Sequence, residues 1–158
     1  MLELIPTRAS VASCFASAEA LGELSPPGGT YLCWVASDEA MLVGPPRDGA
    51  RLVGAARDAV GSRDEDAVVL DVSDGWTLWT LAGDGAREAF LRLSDVEPEA
   101  EGYVQGDVAR VPVRVIALEE RLHLLVPAMW EEHLRDRIRA AASDLDLRTS
   151  PAMDWSLP

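Results

Sequence analysis

Four side chains of this sequence could, by their types, support hydrolytic chemistry. Ser73 would be the nucleophile, Asp71 the acid, and His123 or His133 the base of a Ser/His/Asp triad. Such a triad requires the base within hydrogen-bond reach of the nucleophile. No G-x-S-x-G elbow surrounds Ser73, and no spacing brings either histidine to it. We therefore expect no catalytic residue in this chain.

Asp71 is the most informative of these residues because it interrupts an apolar run. The segment Val68–Val72 is predicted to be a buried strand that enters the Asp74-Gly75 turn and runs straight back out. The carboxylate could bind a ligand, which makes Asp71 the candidate cofactor-binding residue. It could instead accept hydrogen bonds from the N–H groups of residues 74–76 and cap the turn, as Asp and Ser often do. The capping role is favoured.

The other candidates for a metal or nucleotide site are isolated in the sequence. Neither histidine has H-E-x-x-H spacing or a cysteine cluster near it, so no metal site is predicted. Gly83-Asp84-Gly85 lacks the third glycine and the acidic residue of a dinucleotide fingerprint, and is predicted to be a turn that begins a helix. Cys14 and Cys33 lack C-x-x-C spacing, which favours buried, reduced thiols over a disulfide or a reactive thiol.

Composition narrows the classes of function. The 158 residues, 48% of them hydrophobic, suffice for one domain with a core, which is the default, or for two small lobes that share a core. The net charge of -13 disfavours nucleic acids and anionic membranes as partners, because both are polyanions. The sequence contains no lysine, and its fourteen permanently cationic side chains are all arginine. This excludes a Schiff-base lysine, a pyridoxal-phosphate anchor and a Walker-type lysine. No signal peptide or membrane-spanning run is recognised, so we expect a cytoplasmic protein.

The first half of the chain alternates between apolar patterns and turns. Ser10–Leu24 has apolar residues near helical spacing and is predicted to be a helix. Tyr31–Val35 and Ala40–Val43 are predicted to form a hairpin. The helix that follows places Leu52 and the apolar residues after it on one face and ends at a charged link, 61–66.

The second half repeats this order. Val113–Ala117 and Leu122–Val126 form a second predicted hairpin, and Pro127 opens a helix with an apolar stripe of Trp130, Leu134, Ile138 and Ala141. Aligning Val43-Gly44-Pro45 with Leu125-Val126-Pro127 also aligns Leu52 with Leu134, which indicates a weak internal duplication.

Between the two repeats the sequence predicts a strand and a helix. Trp76–Leu81 is apolar on both faces and is predicted to be a central strand. The helix after it carries Ala86 and Phe90 on one face and leads into an acidic loop, 95–102. We predict an α+β fold with a mostly antiparallel sheet and packed helices, in one domain over residues 1–143 with a C-terminal tail over 144–158.

Four segments of the chain match the pattern of a known family: Ser37–Pro45, Val69–Thr77, Leu81–Glu88 and Leu122–Trp130. They resemble the sarcosine oxidase gamma subunit family, whose L-S-G-x-x-A-R-E is similar to Leu81–Glu88. The resemblance extends over about residues 34–142 and, more distantly, to the folate-binding domain of aminomethyltransferases. It implies an aminomethyltransferase folate-binding-domain-like fold.

The function that this resemblance implies is that of an accessory subunit without catalysis of its own. Larger flavoprotein subunits would be the partners, and those chains would carry flavin, NAD and tetrahydrofolate, with no cofactor in this chain. A stand-alone folate- or pterin-binding or one-carbon-transfer protein is one alternative. An acidic protein-interaction module is another. The chain departs from the family at 102–107, and it lacks the catalytic aspartate region of a full aminomethyltransferase.

Two aromatic residues are candidates for an interface. Tyr103 follows the acidic loop, and Trp155 lies in the tail without periodic apolar neighbours. Exposed aromatics in such places often anchor interfaces. Trp155 could equally be part of a tail that folds back onto its own domain. An apolar patch that serves a partner would also favour self-association, which salt would strengthen by screening the net charge.

Overall fold

The computed structural model describes residues 1–157, in two compact units. Unit 1 comprises Met1–Thr7 and Asp74–Met153, and unit 2 comprises Arg8–Ser73 and Asp154–Pro158, of which Pro158 lies outside the described residues. The single domain predicted over residues 1–143 stays a prediction. Local patterns could not reveal the division, because the chain begins in unit 1, builds unit 2 and then returns.

The elements are numbered in chain order. The strands are β1 (Leu2–Arg8), β2 (Ser10–Phe15), β3 (Tyr31–Ala36), β4 (Glu39–Gly44), β5 (Val68–Asp71), β6 (Trp76–Ala82), β7 (Gly102–Val108), β8 (Val111–Leu118), β9 (Arg121–Pro127), β10 (Leu147–Thr149) and β11 (Met153–Asp154). The helices are α1 (Ala18–Leu21), α2 (Gly49–Val60), α3 (Ala86–Leu91) and α4 (Glu131–Ala141).

Unit 2 is a four-stranded antiparallel sheet with the strand order β3-β4-β2-β5. Its sequence of elements, β2-α1-β3-β4-α2-β5, is the β-α-β-β-α-β arrangement of ferredoxin-like folds. Helix α2 buries Leu52, Ala56 and Val60 against one face of the sheet, where Leu42 and Val69 lie. The predicted hairpin and the helix after it are confirmed.

The helix predicted over Ser10–Leu24 is wrong. Residues 10–15 form β2, which is hydrogen-bonded to β4 on one side and β5 on the other. Only Ala18–Leu21 of this segment is helical, a single turn in which the Ser17 hydroxyl accepts a hydrogen bond from Ala20 N. Every residue of 10–14 is buried, so the apolar spacing that mimicked a helix reflects a strand covered on both faces.

Unit 1 is built on the larger sheet, with the strand order β10-β1-β6-β9-β8-β7 and β11 paired with β1. The pairs from β1 to β7 are antiparallel, and β10 joins β1 in parallel. Helices α3 and α4 bury Phe90, Leu134 and Ile138 in a core shared with Trp79 and Leu81 of β6. The α+β class with a mostly antiparallel sheet is confirmed.

The weak duplication in the sequence corresponds to a repeated structure. In each unit an antiparallel hairpin leads into a helix: β3-β4-α2 in unit 2 and β8-β9-α4 in unit 1. The aligned residues Leu52 and Leu134 are both fully buried. The stripe predicted for the second helix needs one correction, because Trp130 is 42% exposed and lies before α4, in a 3-10 turn. Ala142 completes the buried face instead of Ala141.

The segment around Asp71 does not form a hairpin. β5 pairs with β2 in the sheet of unit 2, whereas β6 pairs with β1 and β9 in the sheet of unit 1. The 3-10 turn Ser73–Gly75 joins the two strands. β5 is not the buried strand that was predicted, because only Val69 of its four residues is buried. A short apolar run does not indicate whether its strand lies at the centre or the edge of a sheet.

Two further segments are strands that the sequence did not indicate. β7 contains glycines, which are poor strand formers, but Gly106 is required there because a Cβ would lie 2.5 Å from Val96 Cγ1. The predicted tail, 144–158, contains β10 and β11, which pair with β1. Partners this distant in sequence leave no local pattern.

A ladder of three polar side chains, here called the Thr7 ladder, crosses the sheet of unit 1. Thr80 Oγ1 on β6 lies 2.7 Å from Thr7 Oγ1 on β1 and 2.8 Å from His123 Nδ1 on β9. All three side chains are buried. Burial disfavours the charged imidazolium and Arg121 adds to this effect, so the pKa of His123 is lowered to about 4. The neutral imidazole is thus a hydrogen-bonding partner within the sheet.

Substitution Leu81→Ala tests the central position of β6. Leu81 is fully buried between the strands β1 and β9. We expect the free energy of unfolding to fall by about 2–5 kcal/mol, the range for such cavities. Leu91→Ala is the matched control: that side chain is 38% exposed, and its loss should cost at most about 1 kcal/mol. Chemical denaturation measures both, and equal losses would contradict the assignment.

Substitution His123→Gln tests the Thr7 ladder through pH. The pKa of His123 is about 4 in the folded chain and 6.5 as the ordinary value, so the unfolded chain binds more protons between these pH values. The contribution of neutral His123 to the free energy of unfolding is therefore fully present above about pH 6.5 and is lost as the pH falls towards 4. Since one pKa unit corresponds to about 1.36 kcal/mol, the loss is about 3 kcal/mol.

Denaturation at a series of pH values should show this loss in the wild-type chain and a smaller one in His123→Gln. Comparing the two removes the contribution of the carboxylates, which titrate in both. His133→Gln is the control, since that side chain is exposed, and should behave as the wild type does. Parallel pH profiles for the wild type and His123→Gln would refute the assignment.

Candidate functional site

The Asp71 carboxylate organises the turn that follows β5. Its Oδ1 accepts hydrogen bonds from Ser73 N at 3.0 Å and from Ser73 Oγ at 2.6 Å. The Ser73 hydroxyl also accepts one from Val11 N at 2.9 Å, which ties the turn to β2. These contacts support the capping role that was favoured, although the donors belong to Ser73 and not to residues 74–76.

The second carboxylate oxygen of Asp71 approaches the start of α2. A Cβ on Gly49 would lie 2.0 Å from Asp71 Oδ2, so glycine is required for this approach. A carboxylate near the N-terminus of a helix is stabilised by the helix dipole. Both oxygens of Asp71 therefore take part in the local fold of unit 2. Its role as a cofactor-binding residue stays a prediction.

Trp155 is not an exposed docking residue. Its side chain is 2% exposed, and its indole Nε1 donates to Gly29 O at 3.0 Å. Its backbone N donates to Arg8 O at 2.8 Å, and the neighbouring Asp154 carboxylate lies 2.6 Å from Arg8 Nε. The structure thus supports the alternative of a tail folded back, because an interface anchor needs a free side chain. No local pattern around Trp155 signals this burial.

Tyr103 lies on β7, the edge strand of the unit 1 sheet. It is half-buried, and its hydroxyl donates to Gln105 Oε1 at 2.6 Å. An aromatic residue on an edge strand remains a reasonable interface candidate, and that role stays a prediction.

The side chains of the possible triad have other partners. Ser73 is bound to Asp71 and Val11, and His123 belongs to the Thr7 ladder. His133 is exposed, and its Nε2 lies 3.1 Å from Ala109 O. Each group that could act as nucleophile or base is thus engaged in a contact within its own unit.

The cysteines and the acidic residues offer no obvious site. Cys14 and Cys33 are buried, reduced thiols, as predicted, and burial, followed by Asp64, raises the pKa of the Cys14 thiol. A raised pKa disfavours the reactive thiolate. Among residues 1–157, no three His, Cys, Asp or Glu side chains are grouped so that they could hold a metal ion. No helix in this part of the chain has the length and apolar character needed to span a membrane.

The surface of unit 1 has several grooves. One, about 700 Å³, runs between α4 and the β7-β8 turn, and Arg92 at its wall is held by Glu88 and Asp144. Another, about 510 Å³, adjoins the Gly83-Asp84-Gly85 segment. That segment is the predicted helix-start turn: Gly85 has φ +86° and precedes α3. A Cβ on Gly83 would lie 2.0 Å from Met1 O, so this glycine allows a close backbone approach.

The chain is similar in fold to two solved proteins. One is a chain of the heterotetrameric sarcosine oxidase from Corynebacterium sp. U-96, with a TM-score of 0.75 and 18% identity over 90% of this chain and 84% of that one. The other is the glycine cleavage system aminomethyltransferase T from Bartonella henselae, with a TM-score of 0.66 and 11% identity. This match covers 94% of the present chain but 47% of the aminomethyltransferase, so the chain spans about half of that enzyme.

Sequence comparison gives the family. No curated protein sequence matches the chain. The sequence pattern of the sarcosine oxidase, gamma subunit family matches residues 12–110, which is more than half of the chain and includes the whole span from α1 to β7. These residues contain three of the four segments on which the resemblance was based. The chain belongs to the sarcosine oxidase, gamma subunit family.

Proposed function

We propose that this protein is an accessory subunit, without catalysis of its own, of a multi-subunit amine oxidase of the sarcosine oxidase type. Family membership carries the proposal. The contacts of the reactive side chains support it: Asp71 and Ser73 build a turn, and His123 is neutral and buried within a sheet. A chain whose reactive groups serve its own fold suits a role in assembly.

The partners in this proposal are larger flavoprotein subunits in the cytoplasm. Flavin, NAD and tetrahydrofolate would be held by those chains. The similarity of fold to a chain of a heterotetrameric enzyme supports a hetero-oligomer. The buried, reduced cysteines suit a reducing compartment.

A folate- or pterin-binding protein that acts alone is the second candidate. The similarity of fold to an aminomethyltransferase favours it. The coverage counts against this candidate, because the chain matches only 47% of the length of that aminomethyltransferase. Titration of the purified chain with tetrahydrofolate separates the two functions. Saturable binding at one site would favour the second candidate.

The isolated chain should show no flavin absorbance and no oxygen consumption with sarcosine or dimethylglycine. The physical reason is that the chain has neither a lysine nor a dinucleotide fingerprint. The subunits encoded by neighbouring genes, co-expressed with this chain, serve as the positive control and should carry the flavin and the activity. Stoichiometric flavin on the isolated chain would overturn the proposal, as would failure of this chain to copurify with the others.

A further inference from the structure

Three large apolar side chains form an exposed surface on unit 2, here called the β5 patch. They are Phe15 on β2, which is 40% exposed, and Val68 and Leu70 on β5, each 47% exposed. Phe15 lies directly across from Val68 in the sheet, and Leu70 lies two residues further along β5. Scattered apolar residues on a surface are ordinary, but neighbours on one face of a sheet often mark an interaction site.

The patch lies on the face of the sheet that α2 does not cover. Val69 is 2% exposed and packs with Leu52 and Ala56 of α2. Since successive side chains of a strand point to opposite faces, Val68 and Leu70 both point to the other face. Core packing under α2 therefore does not account for their apolar character.

The free edge of β5 is partly occupied by an arginine. β5 is the outermost strand of its sheet, and no other strand of residues 1–157 pairs with its outer side. Val72 N donates to Val11 O, which directs the backbone groups of Leu70 towards β2 and those of Val69 outwards. The Arg57 guanidinium donates to Val69 O at 3.2 Å. A cation on an edge opposes the addition of another strand, so a partner would contact the face.

Charge distinguishes between the possible occupants of the patch. Glu65 and Asp66, both exposed, lie before β5 with only Ala67 between them and the strand, and the chain as a whole carries a net charge of -13. A second copy would bring two chains that each carry a net charge of -13 into contact, and like charges repel. A partner surface with lysine or arginine side chains around an apolar centre would complement both the apolar β5 patch and the carboxylates beside it.

We propose that the β5 patch is the docking face for a partner subunit that presents apolar side chains flanked by lysine or arginine residues. This inference rests on the proposed function and names the surface that the assembly uses. The partner covers Phe15, Val68 and Leu70, and its basic groups face Glu65 and Asp66.

The first experiment measures the binding of this chain to the large subunits, which are expressed and purified together in its absence. The patch variant is Val68→Thr with Leu70→Thr, because threonine is β-branched and suits a strand. Its control is Leu91→Thr with Met129→Thr, which removes exposed apolar side chains from unit 1. Sedimentation should show at least about tenfold weaker binding for the patch variant and wild-type binding for the control. Thermal unfolding verifies that both variants are folded.

The second experiment uses the lack of lysine in this chain. A carbodiimide joins carboxylates to amines, and the α-amino group of Met1 is the one amine that the sequence offers. If Glu65 or Asp66 is cross-linked to a lysine, that lysine must therefore belong to the partner. Mass spectrometry of the assembled complex should find such links, and Glu65→Gln with Asp66→Asn should remove them and reduce the salt dependence of binding.

The outcomes separate this inference from the proposed function. Wild-type affinity of the patch variant, in a complex that forms, would overturn the docking face and leave the accessory role intact. A wild-type chain that fails to bind the large subunits would overturn both. Self-association that the patch substitutions abolish, with no effect on binding to the large subunits, would assign the face to a second copy and overturn the inference.

Discussion

Strand β6 is covered on both faces, and unit 1 depends on this arrangement. Its backbone is hydrogen-bonded to β1 on one side and to β9 on the other. The side chains from Leu78 to Leu81 are all buried, so each must pack in the absence of water. Leu81 meets this requirement on the side of α3 and α4 by being apolar. Thr80 meets it on the other side by sharing hydrogen bonds with Thr7 and His123. A polar group buried without such partners would cost stability.

Those elements whose partners are close in sequence could be predicted. The hairpins of Tyr31–Gly44 and Val111–Pro127 each join neighbouring segments, and each is followed by a helix whose apolar period is visible locally. β1 and β10 could not be found in this way, because Leu2 pairs with Leu147. β2 was mistaken for a helix since its burial on both faces removes the alternation that identifies strands.

The same limit applies to the functional residues. The turn-capping role of Asp71 was accessible because its donors lie two residues away. The burial of Trp155 was not, since its indole bonds to Gly29, far away in the sequence. The β5 patch was hidden for a related reason: Val68 and Leu70 look like core residues until the order of the sheet places β5 at its edge.

The path of the chain between its two units determines when each unit can be completed during synthesis. β1 leaves the ribosome first, but β6 begins at Trp76 and β10 at Leu147. At about 5–20 residues per second, the apolar side chains of β1 wait several seconds for their neighbours and are open to aggregation meanwhile. Unit 2 also waits, because its Trp155 is made after strand β10 of unit 1. Folding of both units therefore finishes only once the segment from β10 to Trp155 has left the ribosomal tunnel.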